Sequence, residues 1–313
     1  MKRIILPIIT ISCFLVSGSL SGSVVKLEAE SGFSRSFSFT EYKIGGDFEL
    51  PDGTEATTVF PLSRLKFPLN LPNWYAGVTG TVLDTVILHV KVSGNMRTDA
   101  GTMKDYDWNS AEEIEIYSES DAVCHTFLTV DADVSYRLFS LTFFSLSAGV
   151  GFAYQFMDFT CEDLTQWDSS GGPTVVTQVS GPVLEYEVGY YIPYVAIYPG
   201  FSFWRLDITI KLALSPYTVG KDRDDHLLRS KLSTGEASGV SASAALNVRC
   251  RIISNFFVSI EFGVHGIFLE GTQSQERYAA TIEGPPGPIV DIDNRIESTQ
   301  MSLSFGAGYS LEI

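Results

Sequence analysis

Apolar and polar residues alternate along this chain with a period of two, in one segment after another. The clearest is Gln300–Ile313. Met301, Leu303, Phe305, Ala307, Tyr309, Leu311 and Ile313 fall on one face, and Gln300, Ser302, Ser304, Gly306, Gly308, Ser310 and Glu312 on the other. Successive side chains of a strand point to opposite faces, so each such segment has an oily side and a polar, small-residue side. Phe144–Gln155 repeats the pattern. Leu206–Leu214 sets Asp207, Thr209 and Lys211 against leucines and isoleucines, and Phe127–Leu138 sets Thr129, Asp131, Asp133 and Ser135 against Leu128, Val130, Ala132, Val134 and Tyr136. A soluble sandwich buries its oily side against a second sheet. A transmembrane barrel turns it to lipid and keeps charges in a wet lumen, where they can pair.

The connections alternate in length. Short ones sit near Leu83–Thr85, Leu138–Leu141, Trp204–Leu206 and Ile253–Phe256. Long, polar ones run through Gly94–Ser120, Glu162–Ser180, Gly220–Ser230 and Gly271–Ile296. Bacterial outer-membrane barrels have short periplasmic turns and long extracellular loops, so the rhythm orients the chain. Ten strands are expected, at Phe37–Leu50, Ala56–Val82, Val86–Ser93, His125–Leu138, Leu141–Thr160, Leu184–Phe203, Leu206–Val219, Leu227–Arg251, Phe256–Gly271 and Glu297–Ile313. The expected fold is all-β, a ten-stranded antiparallel transmembrane β-barrel with long extracellular loops. Tyr190, Tyr191, Tyr194, Tyr198, Phe201, Phe203 and Trp204 read as an interfacial aromatic girdle.

The first residues fit a secretory signal over 1–23. Lys2 and Arg3 precede an apolar run, Ile4–Val16, and Ser17 to Ser23 supply small residues for cleavage. That run is too short to span a bilayer as a helix. One barrel domain, 24–313, follows. The net charge of −16 argues against nucleic acid, which calls for a basic footprint. Cys124, Cys161 and Cys250 remain after the leader, an odd number without framework or metal spacing. Register counting, with a tight turn at Tyr136–Leu141, sets Cys124 opposite residues near 153, well short of Cys161.

Two acidic clusters could carry chemistry. In Asp105-Tyr106-Asp107-Trp108 both carboxylates share a face of an extended chain, and in Asp222-Arg223-Asp224-Asp225-His226 so do Asp222, Asp224 and His226. A carboxylate beside an imidazole orients it and raises its basicity, which makes a general base for water. Paired carboxylates can hold that water and share a proton. Most Asp-rich loops are simply solvated, so spacing alone is a weak signal. The other histidines, His89, His125 and His265, sit in strand sequence and read as members of polar networks. No phosphate loop, Gly-x-Ser-x-Gly or His-Glu-x-x-His occurs, and neither a metal nor a cofactor is expected.

At these residues the chain resembles the omptins, the outer-membrane aspartyl proteases. Gly94-Asn95-Met96 followed by Asp105-Tyr106-Asp107-Trp108 is similar to their Gly-Asn-Met…Asp-x-Asp-Trp loop, and Asp222 to His226 to their Asp-x-Asp-x-His loop. Phe39-Thr40 with Lys43-Ile44, and Ile192-Pro193-Tyr194, agree. The resemblance implies a ten-stranded barrel in the bacterial outer membrane with an active-site groove facing outside. Asp224 and His226 are then the water-activating pair, Asp105 and Asp107 the opposing pair, and Asp222 part of a pocket for a basic side chain. The implied partners are outer-membrane lipid and peptide or protein substrates cut beside Arg or Lys. Departures are visible. Arg97–Lys104 fills a gap that is short in the family. The first outer hairpin, Pro51–Thr58, is shortened, with Glu55 as the candidate for a family glutamate. Tyr154 to Asp158 keeps the Tyr of the lipopolysaccharide motif and lacks its Arg. The alternatives are a non-catalytic surface adhesin or binding barrel and, disfavoured by a lumen largely filled at ten strands, a small pore.

Overall fold

The computed structural model describes residues 25–109, 113–282 and 284–313; the expected leader, 1–23, lies outside the described residues. Among them are fourteen strands: β1 Val25–Ser36, β2 Phe39–Glu49, β3 Glu55–Thr57, β4 Ser63–Pro68, β5 Pro72–Val82, β6 Val86–Asn95, β7 Asp99–Trp108, β8 Ile114–Ser140, β9 Phe144–Asp168, β10 Val175–Phe203, β11 Leu206–His226, β12 Lys231–Arg251, β13 Phe256–Arg277 and β14 Gly287–Glu312. β1 pairs with both β5 and β14, and the antiparallel ladder runs round through β5, β6 and β8 to β14. The sheet therefore closes on itself through ten strands and leaves no edge in that ring. At the end bearing the long hairpins, here the upper end, β2, β4 and β7 take over from β1, β5 and β6, pairing in the order β14, β2, β4, β7, β8. Three of the ten staves are thus broken in the middle, at 37–38, 69–71 and 96–98. Backbone bonds Ser36 N–H to Leu71 C=O (2.9 Å) and Met96 N–H to Pro72 C=O (2.9 Å) hold the breaks at one level.

The alternation sorts the faces as expected. Val134, Val150, Phe152, Leu212 and Phe305 point outward and are exposed, while Ser135, Ser147, Gln155 and Ser304 are buried inside. The charges expected in the lumen are there. Lys211 reaches Asp131 (2.7 Å) and Asp133 (3.4 Å). Lys91 pairs with Glu261 (2.6 Å), and Arg249 with Glu28 (2.6 Å). They line a polar cavity of about 720 Å³ together with His89 and His265. His125 points elsewhere, to Thr160 (2.9 Å).

Four expectations need correction. The barrel begins at β1, not at Phe37: Lys26, Glu28 and Glu30 face the lumen, so that strand carries few apolar residues to signal it. The long connections are largely strand. β7 and β8 occupy most of Gly94–Ser120, and β13 and β14 extend to Arg277 and from Gly287. Above the lipid both faces of a strand can be polar, so the alternation that reveals strands fades there while the ladder continues. Tyr190, Tyr194 and Tyr198 do not join the girdle. They fall on the inward parity of β10, and Tyr194 donates to Asp131 (2.5 Å); Tyr191, Phe201, Phe203 and Trp204 face out. The turn after β8 lies at 141–143 with bulges above it, so Cys124 opposes Phe159 and Cys161 opposes Ala122; both, like Cys250, are free.

An apolar, aromatic layer fills the barrel above the cavity. Phe67 stacks on Tyr186 (4.2 Å between centroids), Tyr42 lies 5.4 Å from Tyr186 and Phe67 5.3 Å from Phe159, all four fully buried. Leu69 and Leu71, at the break between β4 and β5, complete it. Such a filled cross-section is a packed core and not a pore.

Candidate functional site

The upper groove rests on this layer. β11 ends at His226, where a single 3₁₀ turn, Leu227–Arg229, reverses the chain into β12. In extended backbone Asp222, Asp224 and His226 point to one side, and that side is inward: Asp222 and Asp224 are buried. His226 Nε2 lies 2.9 Å from Asp224 Oδ2. The same oxygen accepts a short hydrogen bond from the hydroxyl of Tyr42, on β2. Burial alone would raise the Asp224 carboxyl. The charge and hydrogen bond of His226, with Lys231 and Tyr42, hold it below its ordinary value instead. Asp224 is therefore the ionised partner of the imidazole.

Asp105 and Asp107 lie on β7, within regular strand and not in a loop. β7 pairs with β4 on one side (Asp105 with Leu65, Asp107 with Ser63) and with β8 on the other (Asp105 with Ser118, Asp107 with Ile116). The additional residues 97–104 do not push this pair aside, because 99–104 are absorbed as strand against β8. Closure of the barrel brings β7 into electrostatic reach of β11. Burial first, then the charges of Asp107 and Asp224, hold the Asp105 carboxyl well above the usual range, and Lys231 and Arg229 pull against this. A carboxyl so placed keeps its proton and can donate a hydrogen bond. Asp105 Oδ1 and Asp224 Oδ1 are both buried without a protein partner.

Asp222 sits deeper. Its neighbour across the ladder is Gly235, and a Cβ there would stand 2.1 Å from Asp222 Oδ1 and 2.7 Å from Asn294 Nδ2. Glycine is what lets the carboxylate lie against β12. The Gln273 side chain approaches the Asp222 carboxylate, and around them Asn294 Nδ2 and Oδ1, Ser233 Oγ and Tyr186 Oη are buried without a protein partner. Buried polar atoms without partners are costly, and so many together suit a hydrogen-bonding guest. Burial, then the charge of Asp224, push the Asp222 carboxyl up to about 7.

The structure thus gathers all five sequence candidates at one end of the barrel. It does not add Glu55, which lies exposed on β3 opposite Glu49. Tyr154 packs on Tyr191 (5.2 Å) on β9 and β10. Sequence reading missed Tyr42, although it shares an inward parity with Thr40 and Ile44. It also missed Lys231, Asn294 and Gln273, which carry no local signature.

The Omptin family model matches residues 62–279. The chain belongs to the omptin family. Among solved structures, the outer membrane protease OmpT from Escherichia coli aligns with 14% identity and a TM-score of 0.76, covering 91% of this chain and 97% of that one. The likeness is in the fold, a barrel of the same outer-membrane kind. The outer membrane protein OprG from Pseudomonas aeruginosa aligns with 9% identity and a TM-score of 0.39, covering 91% of this chain and 95% of that one, and has no bearing on the site. No curated protein matches in sequence.

Proposed function

We propose that this omptin is an outer-membrane endopeptidase that cuts peptides beside basic residues, with its groove facing outside the bacterial cell. Family membership and the barrel's likeness to an outer-membrane protease support the activity class. The observation that carries the mechanism is the Asp224–His226 contact of 2.9 Å facing a second, proton-retaining carboxylate pair. His226, oriented by Asp224, takes a proton from water, and the hydroxide attacks the scissile carbonyl. Asp107 accepts a hydrogen bond from that water. Asp105, protonated, donates to the oxyanion that forms, as a carboxylic acid held neutral can. His226 then returns the proton to the leaving amine. No side chain serves as nucleophile, so no acyl-enzyme forms. Asp222, with Asn294 and Gln273 beside it, receives the basic side chain.

The test is initial rate on a fluorogenic peptide with Arg at the scissile bond, using protein refolded with lipopolysaccharide and heat-modifiable gel mobility as the folding check. His226→Ala is expected to abolish cleavage in a folded barrel, and Asp224→Asn and Asp107→Ala to remove most of it. Full activity in folded His226→Ala overturns the mechanism. A folded wild type without activity, but with intact binding to host cells, makes the chain an adhesin instead.

A further inference from the structure

Above the oily band, the outer wall of β4 and β7 sets two lysines face to face. Lys66 pairs with Lys104 at the lower end of a short ladder, Ser63–Lys66 against Lys104–Asp107. Leu65, Phe67 and Met103 are buried inside, so Lys66 and Lys104 project outward. Like charges directly opposed across a ladder destabilise the pair, and below this one the wall is broken at 69–71 and 96–98. The neighbouring carboxylates give little relief. Lys43 and Arg64 share the buried Glu41 (3.0 and 2.7 Å). Lys104 has Glu119 only at 3.8 Å. Among the described residues Lys66 has no carboxylate in ion-pair contact; its ammonium lies over the Phe39 ring, 3.6 Å from the centre. Phe39 follows Phe37, and Phe37 is bonded through its N–H to Met301 (2.9 Å); both Phe37 and Met301 are exposed on the lipid-facing side. The lysine pair thus stands where the lipid-facing surface ends. Two strands round from β7, on β9 and β10, Asp158, Glu185 and Glu187 point outward instead. In a chain of net charge −16, the cations of β2, β4 and β7 are a local exception.

We propose that Lys66 and Lys104 bind the phosphate of an outer-leaflet lipid headgroup, and that this anion steadies the strand bearing Asp105 and Asp107. Two arguments select that occupant. The first is charge: a phosphate between two opposed ammoniums replaces their repulsion with two charge-assisted hydrogen bonds. The second is continuity: the site adjoins the surface that already meets lipid, so a lipid can place its acyl chains on the oily band and its headgroup at the lysines, as basic side chains at a membrane surface attract anionic headgroups. The link to the groove is the ladder itself. Asp105 and Asp107 alternate along β7 with Lys104 and Tyr106, and Leu65, beside Lys66, is the partner of Asp105. Fixing the end pair of so short a ladder fixes the carboxylates next to it. This link rests on the endopeptidase reading; the lipid site does not.

The experiment places wild type, Lys66→Gln, Lys104→Gln and the double variant in maltoside micelles with either phosphatidylglycerol or uncharged diacylglycerol, and reads retained lipid by native mass spectrometry. Wild type is expected to retain phosphatidylglycerol in preference to diacylglycerol, and each Gln substitution to weaken retention about fivefold. Lys221→Gln, which removes an outward lysine of β11 paired with Glu236 (2.9 Å), is expected to retain lipid as wild type does. Should the double variant not fold, the single variants decide. Equal retention of the two lipids by wild type, or undiminished retention by the folded variants, overturns the site. Orthophosphate that displaces the lipid at equal concentration assigns the site to the free anion and overturns the lipid. Phosphatidylglycerol is also expected to raise kcat/KM on an Arg peptide, by up to about fivefold, in wild type and not in the double variant. Retention without that rise, in a barrel that cleaves, refutes the link to Asp105 and Asp107. Retention in a barrel that cleaves nothing supports the lipid site and removes the endopeptidase reading.

Discussion

Selectivity for a basic side chain should itself depend on pH, with its midpoint near neutrality. In the proposed function Asp222 is the ionisable group that receives the basic side chain, and its carboxyl is pushed up to about 7 by burial and then by Asp224. Below that pH it is protonated, and the pocket receives a charged and a neutral guest of the same shape alike. Above it the carboxylate forms a charge-assisted bond with a guanidinium. Such bonds are worth about 1.5–3 kcal/mol, roughly 10- to 150-fold in kcat/KM at about 1.4 kcal/mol per decade. At pH 6 a group titrating near 7 is only about one-tenth ionised. The preference for Arg over its neutral isostere citrulline is therefore expected to rise about tenfold between pH 6 and pH 8.5. The assay is the ratio of kcat/KM for two peptides differing only in that residue. Taking the ratio cancels any effect of pH on the catalytic steps that both substrates share. Asp222→Asn should flatten the ratio at its low-pH value. A wild-type ratio that is constant across this range would refute the assignment of Asp222 to the pocket.

Tyr42→Phe removes the hydrogen bond to Asp224 Oδ2 and should lower kcat by about 10-fold or more without loss of folding, since bonds to charged groups are worth about 1.5–3 kcal/mol; an unchanged kcat would mean that His226 alone orients Asp224. Asp222 should also destabilise the barrel at high pH. Its proton is held more tightly in the folded chain (about 7) than in the unfolded chain (about 3.9), so stability is fullest below pH 4 and falls as pH rises through 7, by about 4 kcal/mol at most. Asp222→Asn should then raise the urea midpoint at pH 8 and change it little at pH 4; an equal effect at both would count against the carboxylate. Protease added to intact cells should cut within 278–286, between β13 and β14, and spare Ser254-Asn255; the reverse pattern would invert the barrel.

Much of this molecule was legible in its local pattern. A period of two follows from strand geometry alone. Where lipid must meet one face, the period is written in plain hydrophobicity, and so the parities of Phe144–Gln155, Leu206–Leu214 and Gln300–Ile313 could be assigned without coordinates. The same parity rule put Asp105 with Asp107, and Asp222 with Asp224 and His226, on shared faces. The rule weakened where its physical cause did. β1 lines the lumen with Lys26, Glu28 and Glu30 and carries a thin apolar face, and β7 and the upper parts of β8, β13 and β14 leave the bilayer, where nothing demands an oily side.

What only the tertiary structure decided is which faces meet. Asp105 and Asp224 are 119 positions apart in a chain whose local signals reach a few residues. They interact because a ten-strand ring closes, and because its bulges, such as those between Tyr191 and Val195 and between Ser215 and Thr218, set the register of each ladder. Tyr42, Lys231, Gln273 and Asn294 entered the site in the same way. Each is an unremarkable residue on its own strand, and each acquires a role from a partner across the barrel. Closure and register are properties of the whole sheet, summed over many backbone pairs, and no short stretch of sequence contains them.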